Sequence, residues 1–219
     1  MKKKETEGKG ILLFAEGIFK VENINLNHKK ILKEVKELEY ENVQSTDNLP
    51  TTKEGNFTEM SKSIRILDLL PSGNDLEKEI SFHVQVAIDE FFGYDIKNKI
   101  INTWATKSNP GAVAGSHTHS NFWLSAVYYP HGSKKEKFSI WFENSKYLNF
   151  SPHVNNCNIL NSTAFNLPVQ EGDLIIFPAY LKHKIGRNNS KKPRYSIAFN
   201  ILPSGTVGKR DGFLEYKFS

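Results

Sequence analysis

Between Lys99 and Leu202 short β-branched and aromatic segments alternate with turn clusters, and this alternation constrains the fold more than any other feature. The segments cover residues 100–106, 122–130, 138–143, 163–169, 173–178, 183–187 and 194–202. Seven or eight strands at roughly 8–12-residue spacing predict one all-β core, a sandwich or barrel. Fifteen Phe and eight Tyr among 219 residues suit such a core.

The first 98 residues read differently. Residues 11–19 are apolar and β-like. Asn27 is placed to cap a helix over 28–40, where Ile31, Leu32, Val35 and Leu38 fall on one helical face. Residues 41–62 are polar and contain Pro50 and Gly55, which suggests a long connection or a flap over a site. A second helix begins at a cap on Asn74 or Asp75 and stops at Gly93, with Leu76, Ile80, Val84, Ala87, Ile88 and Phe91 repeating at three and four. His83 on that helix reads as a surface or core residue. The expected organisation is a helical support over 1–98 packed on a catalytic core over 99–219, together one structural domain.

Charge and cysteine content narrow the function classes. A formal charge of +5 comes from dispersed lysines without an aromatic–basic recognition pattern, so no specific nucleic-acid partner is expected. The single cysteine, Cys157, allows no intrachain disulfide and suits a reducing compartment. The apolar run 11–15 is too short for a signal or a membrane span, so a cytoplasmic protein with no membrane partner is expected.

Chemistry concentrates in the β region. His117 and His119 are one residue apart, and in a strand both would project to one face, about 7 Å apart at the backbone. Alone, such a pair is commonly two surface histidines. His183 adds a third imidazole just beyond the buried-looking stretch 173–178. Three histidines, two from one strand and one from a distant strand, suit Fe(II) or Zn(II) with positions left open for chemistry. Arg194 heads the last long strand, where alternation puts Arg194, Ser196, Ala198 and Asn200 on one face. A guanidinium on an inward face calls for an anion, and a carboxylate held bidentately suits it best. His131 and His153 read as loop histidines, and Trp123 and Trp141 as core or rim.

Four pieces in order carry a family resemblance: Trp104, then SHTHSNFWLSAVYY, then EGDLIIFPAYLKHKI, then PRYSIAF. Residues 99–202 resemble the Fe(II)- and 2-oxoglutarate-dependent dioxygenases, and more narrowly the prolyl-hydroxylase-like oxygenases common in bacterial viruses. The resemblance implies a double-stranded β-helix, a jelly roll, flanked by the N-terminal helices. It implies metal ligation by His117, His119 and His183, and 2-oxoglutarate held by Arg194 with Ser196, Tyr129 and, more loosely, Asn102. The implied activity couples decarboxylation of 2-oxoglutarate to succinate with O₂-dependent oxidation, such as hydroxylation, of a small-molecule or peptide substrate. One departure stands out. His119 occupies the place of the usual carboxylate, and no Asp or Glu lies between Ile96 and Lys135 to replace it. A zinc hydrolase or lyase would use the same three histidines but leaves Arg194 without a role, and a non-enzymatic jelly-roll binding or virion protein needs neither.

Overall fold

Residues 194–201 alternate strictly between two environments, and this strand organises the molecule. In the computed structural model Tyr195, Ile197, Phe199 and Ile201 enter one hydrophobic core, while the positions between them face the other way. The structure describes residues 12, 14–42, 58–132, 138–144 and 152–218. Their strands are β1 (Phe19–Val21), β2 (Tyr40–Asn42), β3 (Glu59–Ser61), β4 (Lys97–Ser108), β5 (Ala114–His117) and β6 (Leu124–Tyr128). They continue as β7 (Ser139–Glu143), β8 (Ala164–Pro168), β9 (Leu174–Pro178), β10 (His183–Ile185), β11 (Arg194–Val207) and β12 (Leu214–Tyr216). The helices are α1 (His28–Lys36) and α2 (Gly73–Val86).

Two antiparallel sheets result. The larger runs β1-β9-β6-β11-β4-β3-β2 with β12 on the far end of β11, and the smaller runs β5-β10-β7-β8. Both faces of the larger sheet are covered, so its central strands are buried at consecutive positions. Its outer face (Leu124, Ala126, Tyr128, Leu174, Ile176) packs with Ile31 and Val35 of α1 and Leu76, Ile80 and Val84 of α2. Its inner face presents Val127, Tyr129, Ile175 and Phe177 to Ile140 and Phe142 of the smaller sheet. The expected mainly-β fold with flanking helices is therefore observed, as two facing sheets in the manner of a jelly roll. Among the described residues no helix is long and apolar enough to cross a membrane.

Several boundaries differ from the sequence reading. The first helix ends at Lys36, not Tyr40. Tyr40 instead pairs with Ser61 and sets its ring edge-on to Tyr195, 6.1 Å between centroids, so sheet pairing overrides the helical pattern. Asn27 caps α1 as expected, accepting from the Lys30 amide at 3.1 Å. The second helix starts earlier than Asn74 or Asp75. Ser72 precedes it, but its hydroxyl donates to Glu34 instead of capping the turn. Before Gly93 (φ +72°) the helix widens into a π turn over Ala87–Phe91. His83 is half-buried on α2 and within 3.2 Å of Glu79, one turn back. Of the expected β-like region 11–19, only Phe19 among the described residues lies in a strand, which continues to Val21. Of the expected connection 41–62, residues 43–57 lie outside those described.

Gly73 supplies a sharp stability test. A Cβ there would meet the Leu67 carbonyl oxygen at 1.9 Å. Gly→Ala inside a helix ordinarily stabilises by about 1 kcal/mol. Here Gly73→Ala is expected to destabilise by about 1–3 kcal/mol through overpacking, read as a lower urea midpoint.

Candidate functional site

The site is built where the smaller sheet meets the inner face of β11. His183, first residue of β10, is the direct cross-strand partner of His117, last residue of β5. Antiparallel partners share a face, so the pairing brings the two rings to 4.3 Å between centroids. His119 does not continue the strand, contrary to the sequence reading of one strand carrying both histidines. The chain leaves β5 after His117 and turns, helped by Asn121 in the left-handed region at φ +69°. The His119 amide donates to the Ala179 carbonyl, which ties this turn to the end of β9. His119 still reaches its neighbours, with ring centroids 5.4 Å from His117 and 5.1 Å from His183.

The imidazoles are arranged to bind a cation. One nitrogen from each of His117, His119 and His183 lies within 4.8 Å of the others. Every Nδ1 faces an oxygen: Gly115 O for His117 at 2.8 Å, Asn200 Oδ1 for His119 at 2.5 Å, and Leu181 O for His183 at 2.9 Å. Each Nδ1 therefore carries the proton and donates it, and each Nε2 keeps a lone pair for a metal. Burial, with the other imidazoles adding to it, lowers the His183 pKa to about 3. Burial also lowers that of His119. Neutral rings at pH 7 are the ligating form. Exposure is graded from buried His183 through half-buried His119 to exposed His117, which leaves the trio open on one side. Phe177 backs His183 at 4.8 Å and Trp104 flanks His119 at 5.5 Å.

The predicted anion anchor lies on the same inner face. Arg194 is 5% exposed, sits over the Phe138 ring at 5.0 Å and, among the described residues, makes only a long contact, 3.4 Å, to the Gly186 carbonyl. No ion pair to Arg194 occurs among the described residues. Burial lowers its pKa below the ordinary value, with the Tyr129 hydroxyl acting in the opposite sense. Tyr129 is fully buried, its pKa pushed up by that burial, and its hydroxyl has no hydrogen-bond partner among the described residues. Ser196 shares a 2.6 Å hydrogen bond with Thr106 on β4. Asn102 pairs across the sheet with Asn200 and so faces the same side. A buried guanidinium beside an unpartnered phenol is a donor pair awaiting an acceptor. The donor set fits a carboxylate, and the three bare imidazole nitrogens fit a divalent metal.

Residues 102–200 match the family described as "Putative 2OG-Fe(II) oxygenase". This segment, 99 of the 219 residues, resembles the 2OG-Fe(II) oxygenases. The family that the segment resembles is one of enzymes that use Fe(II) and 2-oxoglutarate. Solved structures share the fold at low identity. The epimerase SnoN from nogalamycin biosynthesis superposes with a TM-score of 0.61 at 13% identity, over 87% of this chain and 80% of that one. HygX from Streptomyces hygroscopicus, with nickel and 2-oxoglutarate bound, gives 0.60 at 12%, over 86% and 83%. A prolyl-4-hydroxylase from Pseudomonas putida gives 0.57 at 10%, over 84% and 92%. No curated protein matches the chain significantly.

Reading the sequence alone assigns no role to several members of this site. Asn200 and Ser125 sit at inward positions of β11 and β6, and the Ser125 hydroxyl donates to Asn200 Oδ1 at 3.2 Å. Phe177 and Trp104 form walls. Inward parity was a usable signal for Asn200 and Phe177; their contact with the histidines depends on sheet pairing. His131, read as a loop histidine, accepts from the Tyr195 amide through Nε2 at 2.8 Å and braces the start of β11. His153 is exposed. Trp123 packs on the core, as expected.

The lowered His183 pKa makes a signed prediction. The folded value lies below the unfolded one, so the unfolded chain binds the extra proton between about pH 6.5 and 3. Metal-free protein should lose stability as pH falls through that window. From pH 7 to 5 the loss through His183 is expected to be about 1–2 kcal/mol. Urea titrations should show His183→Gln losing less over the same interval than the parent protein.

Proposed function

We propose that this chain hydroxylates a small-molecule or peptide substrate, coupling the oxidation to decarboxylation of 2-oxoglutarate. One C–H bond of the substrate becomes C–OH, while 2-oxoglutarate becomes succinate and CO₂; one atom of O₂ enters the new hydroxyl and the other enters succinate. The observation that carries this reading is the pairing of three bare Nε2 atoms with a buried arginine and an unpartnered tyrosine on one inner face. HygX, of the same fold, has been solved with nickel and 2-oxoglutarate bound. The Pseudomonas putida structure is a prolyl-4-hydroxylase.

The geometry supports these roles. His117, His119 and His183 would hold Fe(II) through Nε2, with Nδ1–H of each anchored to an oxygen that fixes the ring plane. Bound iron supplies the one-electron and O₂ chemistry that side chains lack. Arg194 and Tyr129 would hold 2-oxoglutarate through a carboxylate, and Ser196, linked to Thr106, would add a hydroxyl from the same strand face. Tyr129 keeps its phenolic proton because burial disfavours the phenolate, so it remains a donor. Phe138, Phe177 and Trp104 wall the pocket with aromatic surface and exclude water. Asn102 lines the same face beside Asn200.

Segments that adjoin His119 and Asn200 in sequence also line a cleft, separate from the histidines, that we propose receives the substrate. The cleft, of about 570 Å³, is lined by Asn121–Trp123, which follow His119 in the chain, and by Leu202 and Pro203, which follow Asn200. Tyr94, Asp95 and Tyr216 complete a rim of aromatic and polar groups suited to an amphiphilic small molecule or peptide side chain.

Anaerobic reconstitution with Fe(II), followed by O₂, tests the reading through succinate. Succinate should form only when 2-oxoglutarate is added, even without substrate at an uncoupled rate. Its absence with and without candidate substrates would sink the proposal. Arg194→Met, which keeps the contact with Phe138, should retain metal and weaken 2-oxoglutarate by about 10- to 100-fold, the scale of lost charged hydrogen bonds. Equilibrium dialysis of the metal and calorimetry of 2-oxoglutarate separate those two outcomes.

A further inference from the structure

We infer that Asn200 is the positioning residue that makes His119 present Nε2 to a metal, a task no other group at the site performs. This rests on the metal centre proposed above and adds to it the device that lets a third imidazole stand where a carboxylate is usual.

The three histidines are oriented by different means. His117 and His183 each donate Nδ1–H to a carbonyl two residues earlier in their own segment, Gly115 and Leu181. Those acceptors are backbone atoms and accompany the ligand wherever its strand goes. His119 lies in a turn and has no such local partner. Its Nδ1 meets the side-chain oxygen of Asn200, 81 residues away on β11, at 2.5 Å.

Asn200 is in turn fixed from two sides. It is 6% exposed, pairs with Ser125 on β6 and Asn102 on β4, and its Oδ1 also accepts the Ser125 hydroxyl at 3.2 Å. That hydroxyl gives the oxygen a second donor, consistent with oxygen rather than NH₂ pointing at His119. An oxygen there requires Nδ1–H on the ring.

The consequence is chemical. A carboxylate ligand has equivalent oxygens and no tautomer to choose. A neutral imidazole left alone favours the Nε2–H form, which has no lone pair on the nitrogen that faces the other two rings. The aromatic neighbours of His119, Trp104 at 5.5 Å and Phe177 at 6.4 Å, exert steric pressure but accept no proton in this role. Asn200 thus converts His119 from a bystander into a donor. Being neutral, it does so without returning the negative charge that the missing carboxylate would have brought.

The test reads the tautomer directly and the metal separately. In metal-free ¹⁵N-labelled protein, two-bond ¹H–¹⁵N spectra should show His119 protonated at Nδ1. In Asn200→Leu the ring should shift towards the Nε2–H form. Co(II), followed by quenching of tryptophan fluorescence, should bind Asn200→Leu about 10- to 100-fold more weakly than the parent protein. Asn200→Asp keeps the size and the acceptor, so it should retain Nδ1–H and bind Co(II) at least as tightly. This near-isosteric variant keeps the question answerable should the leucine variant fail to fold, with thermal melting as the control. An unchanged tautomer and unchanged Co(II) affinity in folded Asn200→Leu would overturn the inference. So would loss of Co(II) binding in folded Asn200→Asp. Failure of the parent protein to bind Co(II) would instead overturn the metal centre, and the inference with it.

Discussion

The pairing of β10 with β5 is the constraint on which the site depends. It sets His183 opposite His117, and a slip by one residue would turn one of those rings to the opposite face of the sheet. The register shifts just beyond, between His183 and Ile185, so the two strands stay paired where the histidines are and diverge afterwards. β10 is only three residues long and is held on its other edge by β7, where Phe142 lies opposite His183. The hydrophobic contact of Phe142 and Phe177 beneath His183 therefore supports the same register that aligns the imidazoles. Core packing and ligand geometry are one arrangement here.

β11 carries the complementary half. Its outward residues are embedded against helices α1 and α2, which fixes the strand's height and twist. Its inward residues then offer, in order, the guanidinium of Arg194, the hydroxyl of Ser196 and the amide of Asn200. Over six residues the strand spans about 20 Å, enough to serve both ends of a small dicarboxylate chelated to a metal. The helices of the N-terminal region thus contribute to chemistry indirectly, by holding one strand flat against a second sheet.

Much of this was legible in the residues, for identifiable reasons. The central strands announce themselves because both faces are buried and β-branched or aromatic residues fill consecutive positions, as in Leu174–Pro178. The inward face of β11 follows from period two. The short strands Tyr40–Asn42, Glu59–Ser61 and Leu214–Tyr216 were not legible, since three residues carry no periodicity and exist as strands only through pairing with neighbours already in place. His117 and His119 were read as one strand because nothing local marks the exit after His117; the turn is closed by Ala179, sixty residues on. The partner of His119 was hidden for the same reason, since it depends on which residue of β11 lies across from Ser125.

The absence of a carboxylate shifts the electrostatics in a definite direction. Glu143 ends β7, the strand paired with β10, but its carboxylate accepts from Lys184 and Ser116, and those partners hold it below the ordinary range. It is satisfied elsewhere and is no substitute ligand. Under the proposed ligation the histidines leave a divalent metal at +2, and Arg194 adds another positive charge inside the same walls. A dianionic 2-oxoglutarate then neutralises most of this, whereas in a site with a carboxylate part of that neutralisation is built into the protein. Metal and 2-oxoglutarate should consequently favour each other's binding more strongly here, and by linkage each must strengthen the other by the same factor. A protein that relies on its cofactor for charge balance holds its metal most firmly when it is ready to react.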